Sequence, residues 1–307
     1  VYVSRKLEGG SESYFLAGRS LPWYLIGFSL FASNMSGSSF VGLMGGAYGN
    51  GVAIFNYEWT ATLVLILFAI FILPSFLRAK ISTVPMFLEE RYDVRSVLAL
   101  VAGIYTILGG LSAVVVTDTV QAILLIVAAA ALFWLGLNEI GGWQELFVDV
   151  PEEKQHLILP ADNDFLPWTG LWGVVLLGFY YWTINQFVVQ RTLGAKDLKE
   201  GQIGALFAGL LKLPNLFLMI LPGIIALKLY PELETPDLAF PTLAFELMPI
   251  GIRGLIMAAL IAAIMSSLDS ALNSASTLVV KDFLEPVWKV KEERQVWFGR
   301  VVTGIGM

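Results

Sequence analysis

Residues 31–46 read FASNMSGSSFVGLMGG and sit inside an apolar run that begins near Trp23 and continues past Ala47. A helix that crosses a bilayer does not readily carry Ser33, Asn34, Ser36, Gly37, Ser38 and Ser39 side by side. Gly and Ser are weak helix formers, and backbone groups freed in hydrocarbon find no water to bind. The stretch therefore predicts a helix broken near its middle. At membrane depth, unwound backbone persists only where it is buried in protein or lines a cavity, and there its carbonyls can coordinate a cation. Two readings follow. One is an ion and substrate site; the other is a close helix–helix contact of the small-xxx-small kind, for which Gly42, Gly45 and Gly46 are suited.

The membrane setting rests on composition. Of 307 residues, 57% are hydrophobic and 14% charged, against about 25% charged in soluble domains, and the mean hydropathy is +0.73. This is an all-α polytopic membrane protein in the lipid bilayer. There is no cysteine and a single histidine, His156 in a polar loop, which excludes thiol catalysis, disulfides and a Cys/His metal centre. No nucleophile and base pair points to an enzyme. The net charge of −6 comes from acids gathered in particular loops, and nothing suggests nucleic-acid binding. The chain begins at Val1 and ends in an apolar run, 296–307, so it is expected to be a fragment.

Taken in order, polar residues 1–20 lead into the broken helix at 21–48. A GNG sequence at 49–51 predicts a tight reversal, and a second span, 52–77, carries Glu58 within its apolar run. Residues 97–108 form an apolar piece of twelve, short of the roughly 20 that span a bilayer. A full span at 111–137 holds Thr117, Asp118 and Thr119 near its start. Further spans are expected at 171–189, at 203–229 with Lys212 near the middle, and at 255–280. Lys and Arg mark cytoplasmic loops, which puts 1–20, 78–96, 191–200 and 281–295 inside and the acidic loops 138–168 and 230–252 outside. Arg191 counts among the inside markers. Between Arg95 and Glu139 the sequence offers one full helix and one half-length piece where an odd number of crossings is needed, which flags 97–108 as anomalous.

Charges within spans cost roughly 2.5–3.5 kcal/mol on insertion scales, so Glu58 and Lys212 are functional candidates, or else a structural ion pair. The span at 171–189 holds Tyr180, Tyr181 and Trp182, then Asn185, Gln186 and Gln190. Aromatic faces ringed by Glu, Lys, Asn and Gln suit a polyhydroxylated ligand, whereas an interfacial aromatic belt would also place such rings in this span. In 255–280, IMSSLDSALNSAST concentrates Ser266, Ser267, Asp269, Ser270, Asn273, Ser274 and Ser276. Sodium is a hard cation that takes oxygen ligands, and adjacent serines facing a broken helix would supply them. Back-bonding serines in a tightly packed helix are the alternative.

Several stretches together resemble the sodium/solute symporter family, and most closely its sodium/glucose cotransporter branch. They are FASNMSGSSFVGL at 31–43, FNYEW ending in Glu58-Trp59, YTILGGLSAVVVTDTVQ at 105–121, YYWTINQFVVQRTLGAK at 180–196, LKLPN at 211–215, and FPTLAFELMPIGIRGL with IMSSLDSALNSAST within 240–277. The resemblance implies a LeuT-like inverted-repeat fold in a single transmembrane domain, 1–307, in which 21–137 would be one incomplete repeat and 168–307 the other. It implies sodium held by the carbonyls of Ala32, Met35 and Ala263 and the hydroxyls of Ser266 and Ser267. Sugar contacts would fall on Asn34, Glu58, Trp182 and Lys212, with Tyr181 as an inner gate and Asp118 coupling sodium to transport.

Ser39 stands at a further sugar-contact position, where sugar-transporting members commonly carry His or Gln. Asp269 stands where some members have a hydroxyl, and there it could support a second sodium. Members of the family carry a complete helix and part of another where this chain has only 97–108, so helices are expected to be missing there and at both ends. The expected function is sodium-coupled import of a monosaccharide across the cell membrane. The alternatives are another small solute such as myo-inositol, or a non-transporting solute sensor on the same scaffold.

Overall fold

A computed structural model describes residues 10–80 and 104–305. The expectations placed on 97–103, Arg5, Lys6, Arg91 and Arg95 lie outside the described residues, as does the side chain of Asp269. Helix dominates the described residues, and their only β contacts are the isolated bridges Leu21–Ala195 and Leu159–Pro167.

The first helices are α1 (Ser11–Leu16), α2 (Trp23–Asn34), α3 (Gly37–Asn50), α4 (Asn56–Leu67) and α5 (Leu73–Arg78). The predicted break is present, and it lies at Met35–Ser36. Met35 leaves the helical region at φ −91°, ψ 79°. Ser36 then caps α3: its hydroxyl accepts from the Ser39 amide at 3.2 Å, and the Ser39 hydroxyl accepts from the Ser36 amide at 3.3 Å. This capping box satisfies amides that a break at membrane depth would otherwise orphan. The tight reversal expected at 49–51 is instead a 3₁₀ segment, Gly51–Phe55, entered through Gly51 at φ 76°. A Cβ there would lie 2.2 Å from the Lys154 carbonyl oxygen, so only glycine lets the outer loop approach this closely.

The helix α6 (Ile104–Glu139) is kinked at Gly110, whose φ 54° and ψ −155° admit glycine alone. It is followed by α7 (Leu171–Thr183), α8 (Gln186–Leu193), α9 (Leu198–Lys212), α10 (Leu221–Leu229), α11 (Ala239–Thr242), α12 (Ile250–Leu278), α13 (Glu285–Trp288) and α14 (Glu292–Ile305). The single span expected at 171–189 is in fact two helices bent by 51°. Asn185 is the cause. Its backbone is extended at φ −71°, ψ 115°, and its side chain accepts from the Phe187 amide, the local bond by which Asn competes with a continuing helix.

Among the described residues three helical stretches are long and apolar enough to cross a bilayer, Ser39–Arg78, Gly110–Glu139 and Leu198–Leu229, and the bent pair meets the same test as one broken span. α6 packs along α12 and α2, while α9 packs against both α2 and α4. α2 is thereby held in the interior, and α8 is mostly buried as well, whereas α7 keeps much of its surface exposed. One buried apolar cluster surrounds Met35, Met44 and Ala263, and the other surrounds Leu30, Leu65 and Trp182.

Candidate functional site

Four polar side chains meet where α2 ends. Glu58 enters from α4, Lys212 from the last turn of α9, Asn34 from the end of α2, and Asn215 from just beyond α9. The Lys212 ammonium donates to Glu58 Oε2 at 2.9 Å and to Asn34 Oδ1, and it lies 5.5 Å from the centre of the Trp182 ring. Asn215 Nδ2 donates to the same Glu58 oxygen. Lys212 is 1% exposed and Glu58 7%, so the charges are withdrawn from solvent and stable only through one another and the amides. The sequence alternatives, site or ion pair, are therefore not exclusive: the residues pair, and the pair faces a cavity.

That cavity, of about 260 Å³, is lined by Asn34, Tyr57, Glu58, Tyr181, Trp182 and Lys212 among others. A larger one of about 630 Å³ is lined by Ser33, Asn34, Ser39, Tyr181, Gln186 and Ser267 among others. Asn34 and Tyr181 border both. The larger cavity draws on α12 from Ser267 to Leu278 and on the start of α8, toward the basic segments. The smaller draws on α4 and α7, toward the acidic loops. The aromatic run of α7 divides accordingly. Tyr180, 57% exposed, stands at the open side of the smaller cavity, whereas Trp182 is buried in its wall. Ser39 lines the larger cavity, not the one holding Glu58 and Lys212, and its hydroxyl donates to the Asn34 carbonyl at 3.1 Å.

The residues expected to hold sodium lie on α2 and on one turn of α12, and those helices touch. The hydroxyls of Ser33 on α2 and Ser270 on α12 are 3.4 Å apart, and just past the break a Cβ on Gly37, the first residue of α3, would lie 2.8 Å from Ile264 Cγ1. Ala32, Met35, Ala263 and Ser266 are all fully buried. Ser266 donates its proton to Asp118 Oδ1 at 2.5 Å, and Ser267 donates to the Ala263 carbonyl at 3.1 Å. Both hydroxyl oxygens thus keep lone pairs for a cation, and at the broken end of α2 the Ala32 carbonyl, which accepts from the Met35 amide at 3.1 Å, has a second lone pair to offer. This donor set suits a hard monovalent cation. Among the described residues no group of three His, Cys, Asp or Glu side chains could hold a metal ion, and carbonyl and hydroxyl ligands do not require one.

Asp118, on α6, is fully buried. It accepts from Ser29 at 2.6 Å and Ser266, and it forms an ion pair with Arg191 at 3.0 Å. Arg191 is the main surprise. Read from sequence as a marker of an inside loop, it is 1% exposed. It donates to Asp118, to Ser29 at 2.6 Å, to Ser270 and to the Phe187 carbonyl. The signal available in the sequence was the unpaired acid at Asp118, which requires a counter-ion at that depth. Asn215 was also missed, although it closes the LKLPN stretch.

Known proteins resemble this chain in sequence and in fold. The family model "Sodium:solute symporter family" matches residues 14–103 and 95–306, two pieces that meet at the short apolar stretch. The chain is 34% identical to the sodium/glucose cotransporter of Vibrio parahaemolyticus, over 93% of this chain and 66% of that one. It is 32% identical to mouse (Mus musculus) sodium/glucose cotransporter 4, over 94% and 52%, and 32% identical to mouse sodium/glucose cotransporter 1, over 94% and 56%. It thus spans between about half and two thirds of the length of these relatives. A solved substrate-bound, outward-open structure of a Na⁺-coupled sialic acid symporter superimposes with TM-score 0.87 at 23% identity, covering 100% of this chain and 75% of that one. The fold is LeuT-like.

Proposed function

Because the chain belongs to the sodium:solute symporter family, a family of multi-pass membrane transporters, we propose that it forms the transport core of a sodium-coupled symporter for a monosaccharide or similar polyol. The observation that carries this reading is the buried Lys212–Glu58–Asn34 cluster under Trp182, set in the wall of a cavity at the break of α2. Carboxylate, ammonium and amide groups alternate as acceptors and donors, as vicinal hydroxyls require, and the indole face covers the apolar side of a sugar ring. A buried carboxylate on the cavity favours an uncharged solute over an anionic one.

Sodium would lie between the end of α2 and the Ser266–Ser267 turn, on the carbonyls of Ala32, Met35 and Ala263 and the two hydroxyls, tying the broken helix to α12. Solute would bind against Asn34, Glu58, Trp182 and Lys212. Tyr181, between the two cavities, would be the side chain that moves for release. At 100 mV each sodium entering contributes about 2.3 kcal/mol from the membrane potential. The two incomplete repeats, 21–137 and 168–307, would rock about this shared site.

The test is uptake of labelled glucose and galactose into proteoliposomes with and without an inward sodium gradient. Sodium-stimulated accumulation is expected; none of either sugar, in folded protein, overturns the sugar reading. A second polyol, myo-inositol, belongs in the same assay, because Ser39 spends its hydroxyl on the helix break rather than facing Glu58 and Lys212.

A further inference from the structure

The two oxygens of Asp118 face different partners. Oδ1 accepts from Ser266, one of the hydroxyls assigned to sodium, while Oδ2 accepts from Ser29 and Arg191. The Arg191 guanidinium belongs to α8, the inner half of the second broken helix. Its acceptors come from four elements: Asp118 on α6, Ser29 on α2, Ser270 on α12, and Phe187 one turn earlier on α8 itself. One carboxylate is thus shared between the sodium turn and a fixed cation on a helix that also carries Gln186 and Phe187 into the larger cavity.

We propose that Arg191 is a tethered competitor of sodium, a positioning residue that holds α8 against α2, α6 and α12 through Asp118 and is weakened there when sodium arrives beside Ser266. The inference rests on the sodium assignment above. Its physical basis is charge balance. A buried carboxylate satisfied by one arginine gains a second cation nearby when sodium binds, so each cation disfavours the other. Linkage makes the effect reciprocal: a sodium that loosens Arg191 is itself held more weakly because Arg191 is present. Ion occupancy is thereby converted into freedom of the inner half-helix next to the Tyr181 gate.

The test is sodium binding to the purified protein, by ²²Na scintillation proximity with choline holding ionic strength, in the parent and four variants. R191Q should bind sodium more tightly, on the order of tenfold, because Asp118 is then left without a fixed counter-ion. D118N should bind more weakly by a similar factor, because Arg191 is then an unpaired cation beside the site. D118N/R191Q should return toward the parent affinity, and R191K should stay close to it. A purely structural ion pair would move R191Q and D118N in the same direction, and that result, or no change in either, overturns the proposal.

Should R191Q not fold, D118N against D118N/R191Q carries the same test: recovery supports competition, and no recovery refutes it. The S267A variant separates the two layers. If S267A leaves sodium binding unchanged, the ion site itself is misassigned; if S267A weakens binding and R191Q does not tighten it, only the competition fails.

Discussion

At the scale of single residues, the site consists of charges that are stable only in company. Lys212→Met leaves Glu58 buried with only Asn215 beside it, and breaking a buried pair in this way typically costs about 3–5 kcal/mol. The double variant E58Q/K212M, which leaves no lone charge, should recover most of that stability while failing to bind solute. Thermal unfolding and solute binding on the same preparations check this, and recovery of both would show the pair to be structural only. Glu58, Lys212, Asn34 and Trp182 were legible in sequence because charges and amides are conspicuous in apolar runs. Arg191 was not, because a basic residue next to Lys196 and Lys199 reads as the end of a span until its partner on α6 is seen. Asn215 escaped for a similar reason: its side chain donates to Glu58, a contact 157 residues away in the chain.

At the scale of elements, the break in α2 is maintained by small bonds. Ser36→Ala removes the hydroxyl that accepts from the Ser39 amide, and the cap should lose about 1 kcal/mol. If the break positions the carbonyls of Ala32 and Met35, sodium affinity should fall with it; an unchanged affinity would separate the cap from the ion site. Gly110→Ala should yield little folded protein, since its Cβ would lie 2.2 Å from the Tyr14 carbonyl at a backbone angle no other residue adopts. Expression and monodispersity in detergent report this directly. The first break was readable because six small polar residues run together. The second was not, because a single Asn185 produces it, and Asn at midspan reads equally well as a ligand or as a cap.

For the whole molecule, a bound ion that joins α2 to α12 must stabilise the folded state by mass action. Sodium at a hundred times its dissociation constant should add about 2.7 kcal/mol, seen as a rise in the unfolding temperature with sodium and not with choline. S267A should flatten that dependence, and an equal response in the variant would remove Ser267 from the site. The sequence foretold the helical class and the presence of a broken core helix, since both are written in local composition. It was silent on which helices touch, because packing of α9 on both α2 and α4 depends on small residues such as Gly27 and Gly204, whose role appears only when α2 and α9 are seen to meet.

The side chain of Asn34 borders both cavities while its amide oxygen holds Lys212. On the reading proposed here, a solute in either chamber must draw on the same amide, so the two chambers cannot be filled independently. They amount to one seat with two doors. Passage would then be strictly one molecule per cycle, with no queue and no push from a following molecule, and solute on the far side would slow net entry by holding the seat.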